Sequence, residues 1–380
     1  MSTVPAVCPV RHQPVVASGA RHRLPDLLRE LDARRVLLVT SARRADDGAV
    51  ARLLPDVRVR AFTEWTPNPV LEQAVAAARA QAEFGADLIV AVGGGSAIDV
   101  AKLARSLPPD AGAARRVLAG RRELRAPSTV PLAALPTTAG SGSEVTRFAT
   151  VYVDRVKHSL DHVSVLPEYA LIDPELLVSC PVPLRYSSAF DALCHAVESL
   201  WSTRATSSSR RLATDALRAL AELLRTPLAE AGPPELLRLA QAATTAGRAI
   251  DTTRTTAAHA FSYRLTAHFG VPHGVACVLN LMWLLDLGTE SVTAGPPGRS
   301  VRDDLRLVGS LLAPRRPEAA GAALRDMLGA AGLSARLRDH GVHREDVDAL
   351  IAAGMANRRT DGNPFPLDPG RVRRKMLEML

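Results

Sequence analysis

The sequence predicts two domains of different class, an α/β domain over residues 1–178 and an all-helical domain over 179–380. Three observations lead to this division. Short apolar strands alternate with helices in the first half, as a doubly wound sheet requires. A stretch with three prolines follows at 170–185. Beyond it helical periodicity dominates, no strand pattern is evident, and histidines recur at spacings that suit a metal ion.

The individual elements follow from local patterns. An opening strand or hairpin and a turn are expected before residue 25, and a hairpin is expected at 147–162. Between them the pattern predicts helices at 24–35, 69–84 and 96–107 and strands at 36–40, 87–92 and 129–135. In the second domain it predicts nine helices, at 185–202, 206–225, 234–250, 254–268, 274–286, 301–312, 317–331, 344–355 and 370–380.

Composition limits the function classes. The 380 residues are 47% apolar, which fits a globular protein of two domains with a large core. No apolar run approaches the roughly 18 residues that span a bilayer, and the N-terminus lacks a signal-peptide core. The net charge is +8, yet no basic run with interleaved aromatic residues suggests nucleic-acid binding. The excess reflects either an arginine-rich coding bias or a positive field for an anionic cofactor and substrate.

The four cysteines, Cys8, Cys180, Cys194 and Cys277, are scattered and lack CxxC spacing. Neither disulfides nor a cysteine-based zinc site is expected, which fits a reducing cytoplasm.

The stretch from Thr252 to Leu281 carries the strongest chemical signal. It places His259 and His273 fourteen positions apart, a distance of roughly 21 Å along a single helix. One helix therefore cannot bring both imidazoles to one ion. Gly270 and Pro272 supply a break that ends the first helix and lets the chain fold back.

A second pair of candidate ligands lies upstream, where Asp191 and His195 are four positions apart and share one helix face. One carboxylate and three imidazoles suit Fe(II), Zn(II) or a similar divalent ion. Each half by itself is more often a surface pair or a hydrogen-bonded core histidine. Together they predict a metal site.

Two glycine-containing turns predict a nucleotide site. The run DLIVAVGGGSAIDVAK reads as strand, turn and helix, in which Gly94, Gly95 and Ser96 would hold a phosphate at the helix start. It is neither GxGxxG nor a P-loop, and a tight turn without a ligand is the alternative. The loop PTTAGSGSEVT offers hydroxyl groups from Thr137, Thr138 and Ser141, although by itself it could be a solvated loop.

Four segments resemble a known family in the right order: GGGSAIDVAK, PTTAGSGSEVT, DALCHAVES and HAFSYRLTAHFGVPHG. They are similar to the signature segments of the iron-dependent, or group III, alcohol dehydrogenases. The resemblance implies a dehydroquinate-synthase-like fold with the active site in the cleft between the domains. It also implies cofactor contacts from Asn68, Asp99 and Lys157.

The resemblance lets the turn after the strand VLLVT be used to predict the cofactor preference. NAD-preferring relatives commonly carry an aspartate there, which accepts from the ribose 2′-hydroxyl. This sequence has Ser41, followed by Arg43 and Arg44. Since a carboxylate repels a 2′-phosphate and a serine with an arginine can hold one, NADPH is expected to be favoured over NADH.

The sequence departs from many relatives at Tyr263, where they carry a second histidine four residues after the first ligand of this segment. A tyrosine hydroxyl can hydrogen-bond substrate or relay a proton, but it titrates near 10 when unperturbed. Tyr263 and His268 are the candidate catalytic side chains.

Within the family, AGRAIDTTRTTAAHAFSYRLTAHFGVPHG most resembles the phosphonoacetaldehyde reductase branch. Arginines bind phosphonate oxygens in bidentate fashion, so Arg147, Arg254 and Arg264, with Phe148, are the candidate substrate contacts. The expected reaction is the metal-assisted reduction of phosphonoacetaldehyde to 2-hydroxyethylphosphonate.

Three alternatives remain open: a general alcohol dehydrogenase of the same family, a dehydroquinate-synthase-like lyase, and an inactive nucleotide-binding scaffold. A cytoplasmic homodimer that binds neither nucleic acid nor membrane is expected.

Overall fold

The computed structural model describes residues 13–120, 124, 130–154, 156–294 and 299–380. It divides into two compact units. The first comprises Met1–Thr137 and Ser143–Leu177, and the second comprises Thr138–Gly142 and Val178–Leu380. The short segment Thr138–Gly142 thus belongs with the C-terminal unit, although it lies in the first half of the sequence.

The first unit is built on a six-stranded sheet in the order β1-β8-β5-β4-β2-β3, in which all recorded pairings are parallel. Its strands are β1 Val15–Val16, β2 Arg35–Thr40, β3 Arg58–Phe62, β4 Leu88–Gly93, β5 Leu132–Pro136 and β8 Tyr169–Ile172. A separate antiparallel pair is formed by β6 Phe148–Val153 and β7 Val156–Asp161.

Apolar side chains on both faces suit β2 and β4 to the interior of this sheet, where each has a neighbouring strand on both sides. Leu38 pairs with Val90 in register, and the two strands are buried along almost their whole length. Parallel strands covered on both faces are expected to be apolar throughout, which is the pattern that identified them. The helices of this unit are α1 Leu24–Glu30, α2 Ala42–Asp46, α3 Leu71–Phe84, α4 Gly95–Ser106 and α5 Ala111–Leu118.

The first unit agrees with most of the predicted elements, and the hairpin of β6 and β7 lies where it was expected. Of the strand or hairpin expected before residue 25, the described residues contain a strand, β1, which pairs in parallel with the distant β8 and forms no hairpin. Residues 1–12 and 129 lie outside the described residues. β3 and β8 were not predicted; β3 is an edge strand whose arginines interrupt the apolar pattern.

The second unit is helical, and no strand occurs among its described residues. Its helices are α6 Val182–Trp201, α7 Ser207–Leu223, α8 Pro233–Thr253, α9 Ala257–Phe269, α10 His273–Ala294, α11 Arg299–Leu312, α12 Ala320–Ala330, α13 Val347–Met355 and α14 Pro369–Glu378. They correspond one by one to the nine predicted helices. Their ends differ from the predicted ends by at most three residues, except that α10 continues to Ala294 instead of ending at 286. Among the described residues, no helix combines the length and the apolar character needed to cross a membrane.

Helix α6 is buried over most of its twenty residues. A helix surrounded by others is expected to be apolar on all sides. Buried polar residues on such a helix therefore need partners, and on α6 they include Asp191, His195 and Glu198. This makes α6 the element on which the candidate site is built.

Candidate active site

Helix α6 presents the first two candidate ligands side by side. Asp191 and His195 are both buried and lie one turn apart, with Nε2 of His195 3.5 Å from Oδ1 of Asp191. The i,i+4 spacing in the sequence produces this arrangement directly.

The break between α9 and α10 brings the other two histidines together. Helix α9 ends at Phe269, and Gly270 adopts the left-handed conformation with φ of 69°, which favours glycine. Helix α10 then begins at His273. As a result the His259 and His273 rings lie 5.4 Å apart between centroids and are inclined by 71°.

Gly274 explains how the start of α10 can approach α6 so closely. A Cβ atom at this position would lie 1.8 Å from the backbone oxygen of Ser187 and 2.8 Å from the backbone nitrogen of Asp191. Only glycine fits such a contact. The approach places Nε2 of His273 3.9 Å from Oδ1 of Asp191, and Nε2 of His259 lies 3.1 Å from the same oxygen.

The cluster contains a donor that the sequence interpretation missed. Donor atoms of Asp191, His259, His273 and Cys277 all lie within 4.8 Å of one another, and His195 is outside this group. Cys277 is fully buried one turn after His273 on α10. The i,i+4 spacing of His273 and Cys277 in the sequence indicates that the two side chains share a helix face, which the lack of CxxC spacing does not reveal.

A second carboxylate hydrogen-bonds one of the histidines of the cluster. Glu198 is fully buried and accepts a hydrogen bond from Nδ1 of His259. It also accepts from the Thr256 hydroxyl at 2.8 Å and from the Ala258 amide at 2.8 Å. Glu198 lies seven residues after Asp191, on the same side of α6. A ligating imidazole commonly donates its other N–H to a carboxylate, which fixes the ring and its tautomer.

The charges in this cluster favour a cation. Burial opposes ionisation of Asp191, but His195, His259 and His273 outweigh it and lower the pKa of that carboxyl. Burial likewise acts to lower the pKa of His259, yet Cys277, Glu198 and Asp191 raise it well above its usual range. Burial lowers the pKa of His195 to about 4, so this ring is neutral near pH 7.

These residues fit a divalent metal ion. Asp191, His259 and Cys277 are buried and His273 is partly exposed. The set combines carboxylate oxygen with imidazole nitrogen, and the carboxylate is held in its ionised form. A cluster that raises the proton affinity of His259 has a negative potential, which a metal ion would neutralise in place of the proton.

The two candidate catalytic side chains differ in their surroundings. Tyr263 is partly buried, and its ring stacks on His273 with centroids 6.1 Å apart and planes inclined by 19°. His268 is exposed and touches Phe269 edge-on. Tyr263 therefore adjoins the cluster, whereas no recorded contact joins His268 to the described ligands.

In the first unit, the glycine turn joins β4 to α4 as predicted. A Cβ atom on Gly93 would lie 2.5 Å from Cβ of Ala97, so glycine permits the close approach of strand and helix. Gly94 precedes the helix, and Gly95 and Ser96 begin it, where amide groups lack partners within the helix. Asn68 has φ of 59°, and its backbone N–H donates a hydrogen bond to the Ser96 hydroxyl at 3.3 Å.

Asp99 ties this helix to two other segments of the first unit. It accepts from the Ser143 hydroxyl at 2.6 Å and from the Thr150 amide at 3.0 Å, and burial raises its pKa. Lys157, on β7, acts on Asp99 electrostatically. The buried Lys102, which was not predicted, donates to the backbone oxygens of Thr146 and Phe148 at 2.9 and 2.8 Å.

The second predicted loop is divided between the units. Thr137 belongs to the first unit, and its amide donates to Gly93 at 2.9 Å. Thr138 and Ser141 belong to the second unit. There, a Cβ atom on Gly142 would lie 2.5 Å from Cα of Gly247, which explains why the loop consists of small residues.

Ser41 stands at the start of α2, where its hydroxyl accepts from the Arg44 amide at 3.4 Å. Arg43 is exposed beside it. The structure therefore gives Ser41 a capping role, and the proposed contact with a 2′-phosphate stays a prediction.

The candidate substrate residues belong to both units. Phe148 begins β6 and Arg147 directly precedes it, and the Arg147 carbonyl accepts from the His162 amide at 2.9 Å. Arg254 follows α8 with φ of 64°, and its guanidinium donates to the Asp251 carbonyl. Arg264 is partly buried on α9, and its buried Nε makes no hydrogen bond within the described part of the chain.

The first unit is built on a parallel sheet, and the second is a helical unit that carries a metal-type donor cluster. Two family models match accordingly: iron-containing alcohol dehydrogenase over residues 12–174, and the C-terminal domain of the Fe-containing alcohol dehydrogenase family over 186–376. The chain belongs to the iron-containing alcohol dehydrogenase family. It is an iron-dependent oxidoreductase that interconverts alcohols and aldehydes with NAD(P).

Among its relatives, phosphonoacetaldehyde reductase of Streptomyces viridochromogenes is 37% identical over 79% of this chain and 78% of that protein. Long-chain-alcohol dehydrogenase 1 of Geobacillus thermodenitrificans is 32% identical over 73% of this chain and 72% of that protein. Sulfoacetaldehyde reductase of Bifidobacterium kashiwanohense, solved with NAD+, superposes with a TM-score of 0.85. It is 26% identical and covers 97% of each chain.

Proposed function

We propose that the protein reduces a small anionic aldehyde with NAD(P)H, and that the aldehyde is phosphonoacetaldehyde, which gives 2-hydroxyethylphosphonate. The observation that carries the choice of an anionic substrate is Arg264. Its buried Nε has no hydrogen-bond partner in the described part of the chain, although it lies on the helix that carries His259. A buried donor without an acceptor costs about 1–3 kcal/mol, and a phosphonate oxygen would satisfy it.

The relatives support the same substrate class. The 37% identical relative is named for phosphonoacetaldehyde, and a structural relative is named for sulfoacetaldehyde. Both names denote two-carbon aldehydes that carry an anionic group. A general dehydrogenase of neutral alcohols is the second candidate, which the likeness to a long-chain-alcohol dehydrogenase favours.

The roles of the chain's own residues follow from the cluster. Asp191, His195, His259 and His273 would hold the metal, and Glu198 keeps the Nδ1 proton of His259 so that Nε2 faces Asp191. When bound, the metal supplies Lewis acidity to the aldehyde oxygen and the reduced nicotinamide supplies the hydride. Tyr263, stacked on His273, is positioned to hydrogen-bond the substrate or the product hydroxyl.

The cofactor proposal is NADPH in preference to NADH, and Fe(II) in preference to Zn(II). The preference for NADPH rests on Ser41 and Arg43, because neither side chain repels a 2′-phosphate as a carboxylate would. The preference for Fe(II) rests on the oxygen and nitrogen donors of the cluster, although the same donors also suit zinc.

The deciding experiment is a substrate panel. The metal-loaded enzyme is assayed by NADPH oxidation with phosphonoacetaldehyde, sulfoacetaldehyde, propanal and butanal. We expect kcat/KM for phosphonoacetaldehyde to exceed that for propanal by at least about tenfold, since at least one charged hydrogen bond is gained. Equal kcat/KM for propanal and phosphonoacetaldehyde would show a general alcohol dehydrogenase. Turnover of a substrate without oxidation of NADPH would favour a lyase.

A further inference from the structure

The Thr266 hydroxyl on α9 is a buried polar group that the proposed function does not use. Its oxygen is shielded from solvent and makes no hydrogen bond within the described part of the chain, although the residue as a whole is only partly buried. A hydroxyl that gives up its hydrogen bonds to water without a replacement destabilises the fold. Such groups are few in native proteins, and each of them calls for an explanation.

Other threonines within helices of this chain show the ordinary arrangement. The hydroxyls of Thr214, Thr245 and Thr289 each donate to the carbonyl oxygen four residues earlier, at 2.8, 2.7 and 2.9 Å. Helix α9 offers Thr266 the same kind of acceptor at Ser262, since both residues lie inside the helix. The unpaired hydroxyl of Thr266 is therefore a departure from the local pattern, and helix geometry does not explain it.

Thr266 lies on the face of α9 that carries the candidate site. It follows His259 by seven residues, which is about 20° short of two full turns and roughly 10 Å along the helix axis. Tyr263, which stacks on His273, lies between them on the same face. Side chains of a helix lean toward its N-terminus, which is the direction of His259 from Thr266. The unpaired hydroxyl thus extends the line of site residues by one turn beyond Tyr263.

We propose that Thr266 is a specificity-determining residue whose hydroxyl donates a hydrogen bond to the anionic group of the substrate. This inference rests on the anionic aldehyde of the proposed function. A phosphonate oxygen is the acceptor that the free protein lacks, and hydrogen bonds to a charged acceptor are strong. An aldehyde without an anionic group leaves the hydroxyl unpaired in the complex. A site that is built to hydrogen-bond one substrate group discriminates against analogues that lack this group.

Substrate discrimination by Thr266 variants of the metal-loaded enzyme tests the proposal. Thr266→Val keeps the side-chain shape and removes the hydroxyl. It should lower kcat/KM for phosphonoacetaldehyde about 10–100-fold and leave kcat/KM for propanal within about twofold of the wild type. Thr266→Ser keeps a hydroxyl and should recover most of the loss. Thr266→Ala should give the valine result in a residue of higher helix propensity, which answers the question even if Thr266→Val folds poorly.

The matched control is Thr214→Val, which removes a hydroxyl that donates to its own helix. It should leave kcat/KM unchanged for both aldehydes. Urea unfolding of the metal-free proteins adds a second readout. Thr214→Val loses a hydrogen bond and should unfold at a lower urea concentration than the wild type. Thr266→Val loses none and should unfold at the same or a higher urea concentration, because it removes an unpaired buried group.

Three outcomes would contradict the inference. Equal losses for phosphonoacetaldehyde and propanal in Thr266→Val, or no loss for either, overturn it and leave the proposed function intact. A lower unfolding midpoint of Thr266→Val also overturns it, because the hydroxyl would then be paired with water in the free protein. A wild type that does not prefer phosphonoacetaldehyde over propanal refutes the proposed function itself, and this inference with it.

Discussion

The Glu198 carboxylate holds Nδ1 of His259, while Nε2 of the same ring faces Oδ1 of Asp191 at 3.1 Å. One imidazole thus lies between two buried carboxylates, each bonded to one of its nitrogens. The first fixes the tautomer and the second shares the position in which a metal ion would bind. Glu198 is therefore a positioning residue, since it would act on the metal through His259.

Glu198→Gln should weaken metal binding by about 10–100-fold, because the neutral amide neither holds the Nδ1 proton as strongly nor raises the basicity of the ring. The measurement is Zn(II) affinity by competition with a chromophoric chelator. Glu222→Gln, at an exposed glutamate paired with Arg238, is the matched control and should leave the affinity unchanged. Glu198→Asp should recover part of the loss. Equal affinities in wild type and Glu198→Gln would exclude the positioning role.

His259→Ala and His273→Ala should each lose the bound metal and the activity while keeping the fold, because each removes one donor of the cluster. Metal content by elemental analysis and far-ultraviolet circular dichroism are the two measurements. His343→Ala, at an exposed histidine of the same unit, is the control. Stoichiometric metal with near-normal turnover in either variant would contradict the metal assignment.

His195 and His259 should make the stability of the metal-free protein depend on pH in opposite directions on the two sides of pH 6.5. The folded-state pKa of His195, about 4, lies below its ordinary value of 6.5, so the unfolded chain binds a proton that the folded chain does not. Stability therefore falls as pH drops from 6.5 to about 4, by on the order of 3 kcal/mol. His259, whose pKa is raised, adds stability that is lost as pH rises through that raised pKa.

Urea unfolding in the presence of a chelator measures this dependence. In His195→Gln, which cannot titrate, the loss of stability between pH 6.5 and 4 should be smaller than in the wild type. Each protein is compared with itself at the two pH values, so any pH-independent change in the free energy of unfolding caused by the substitution cancels. Parallel curves for the two proteins would show that His195 does not take part.

The wild type should use NADPH at least as well as NADH, and Ser41→Asp should shift the preference toward NADH. Aspartate is as good an N-cap as serine, so the start of α2 is preserved and the added charge is what changes. Ser41→Asn keeps the cap without the charge and should leave the preference near that of the wild type. The ratio of kcat/KM for the two cofactors is the measurement. A wild type that strongly prefers NADH would refute this interpretation.

Arg264→Ala should lower kcat/KM for phosphonoacetaldehyde far more than for propanal, by about 1.5–3 kcal/mol for a lost charged hydrogen bond. Arg254→Ala is predicted to act in the same direction. Its guanidinium bonds the end of its own helix, so part of any effect there would be structural. Arg218→Ala, at an exposed arginine of α7, is the control. An equal loss for both aldehydes would show that Arg264 does not bind the anionic group.

The sequence by itself determined whatever depends on local pattern. The apolar runs of β2 and β4, the helices seen in the described part of the second unit and the break at Gly270 all follow from the spacing of neighbouring residues. The family followed from four short segments. The i,i+4 pair of Asp191 and His195 needed no knowledge of the fold, because helix geometry alone places the two side chains together.

Only the tertiary structure decided which distant groups meet. It paired β1 with β8 and assigned Thr138–Gly142 to the helical unit. It brought Glu198 of α6 to His259 of α9. It brought Cys277 to the cluster because Gly274 lets α10 approach α6 at a distance that no side chain would permit. A buried glutamate and a buried cysteine look ordinary in a sequence. Their chemistry arises from the partners that packing gives them, and those partners lie on other helices.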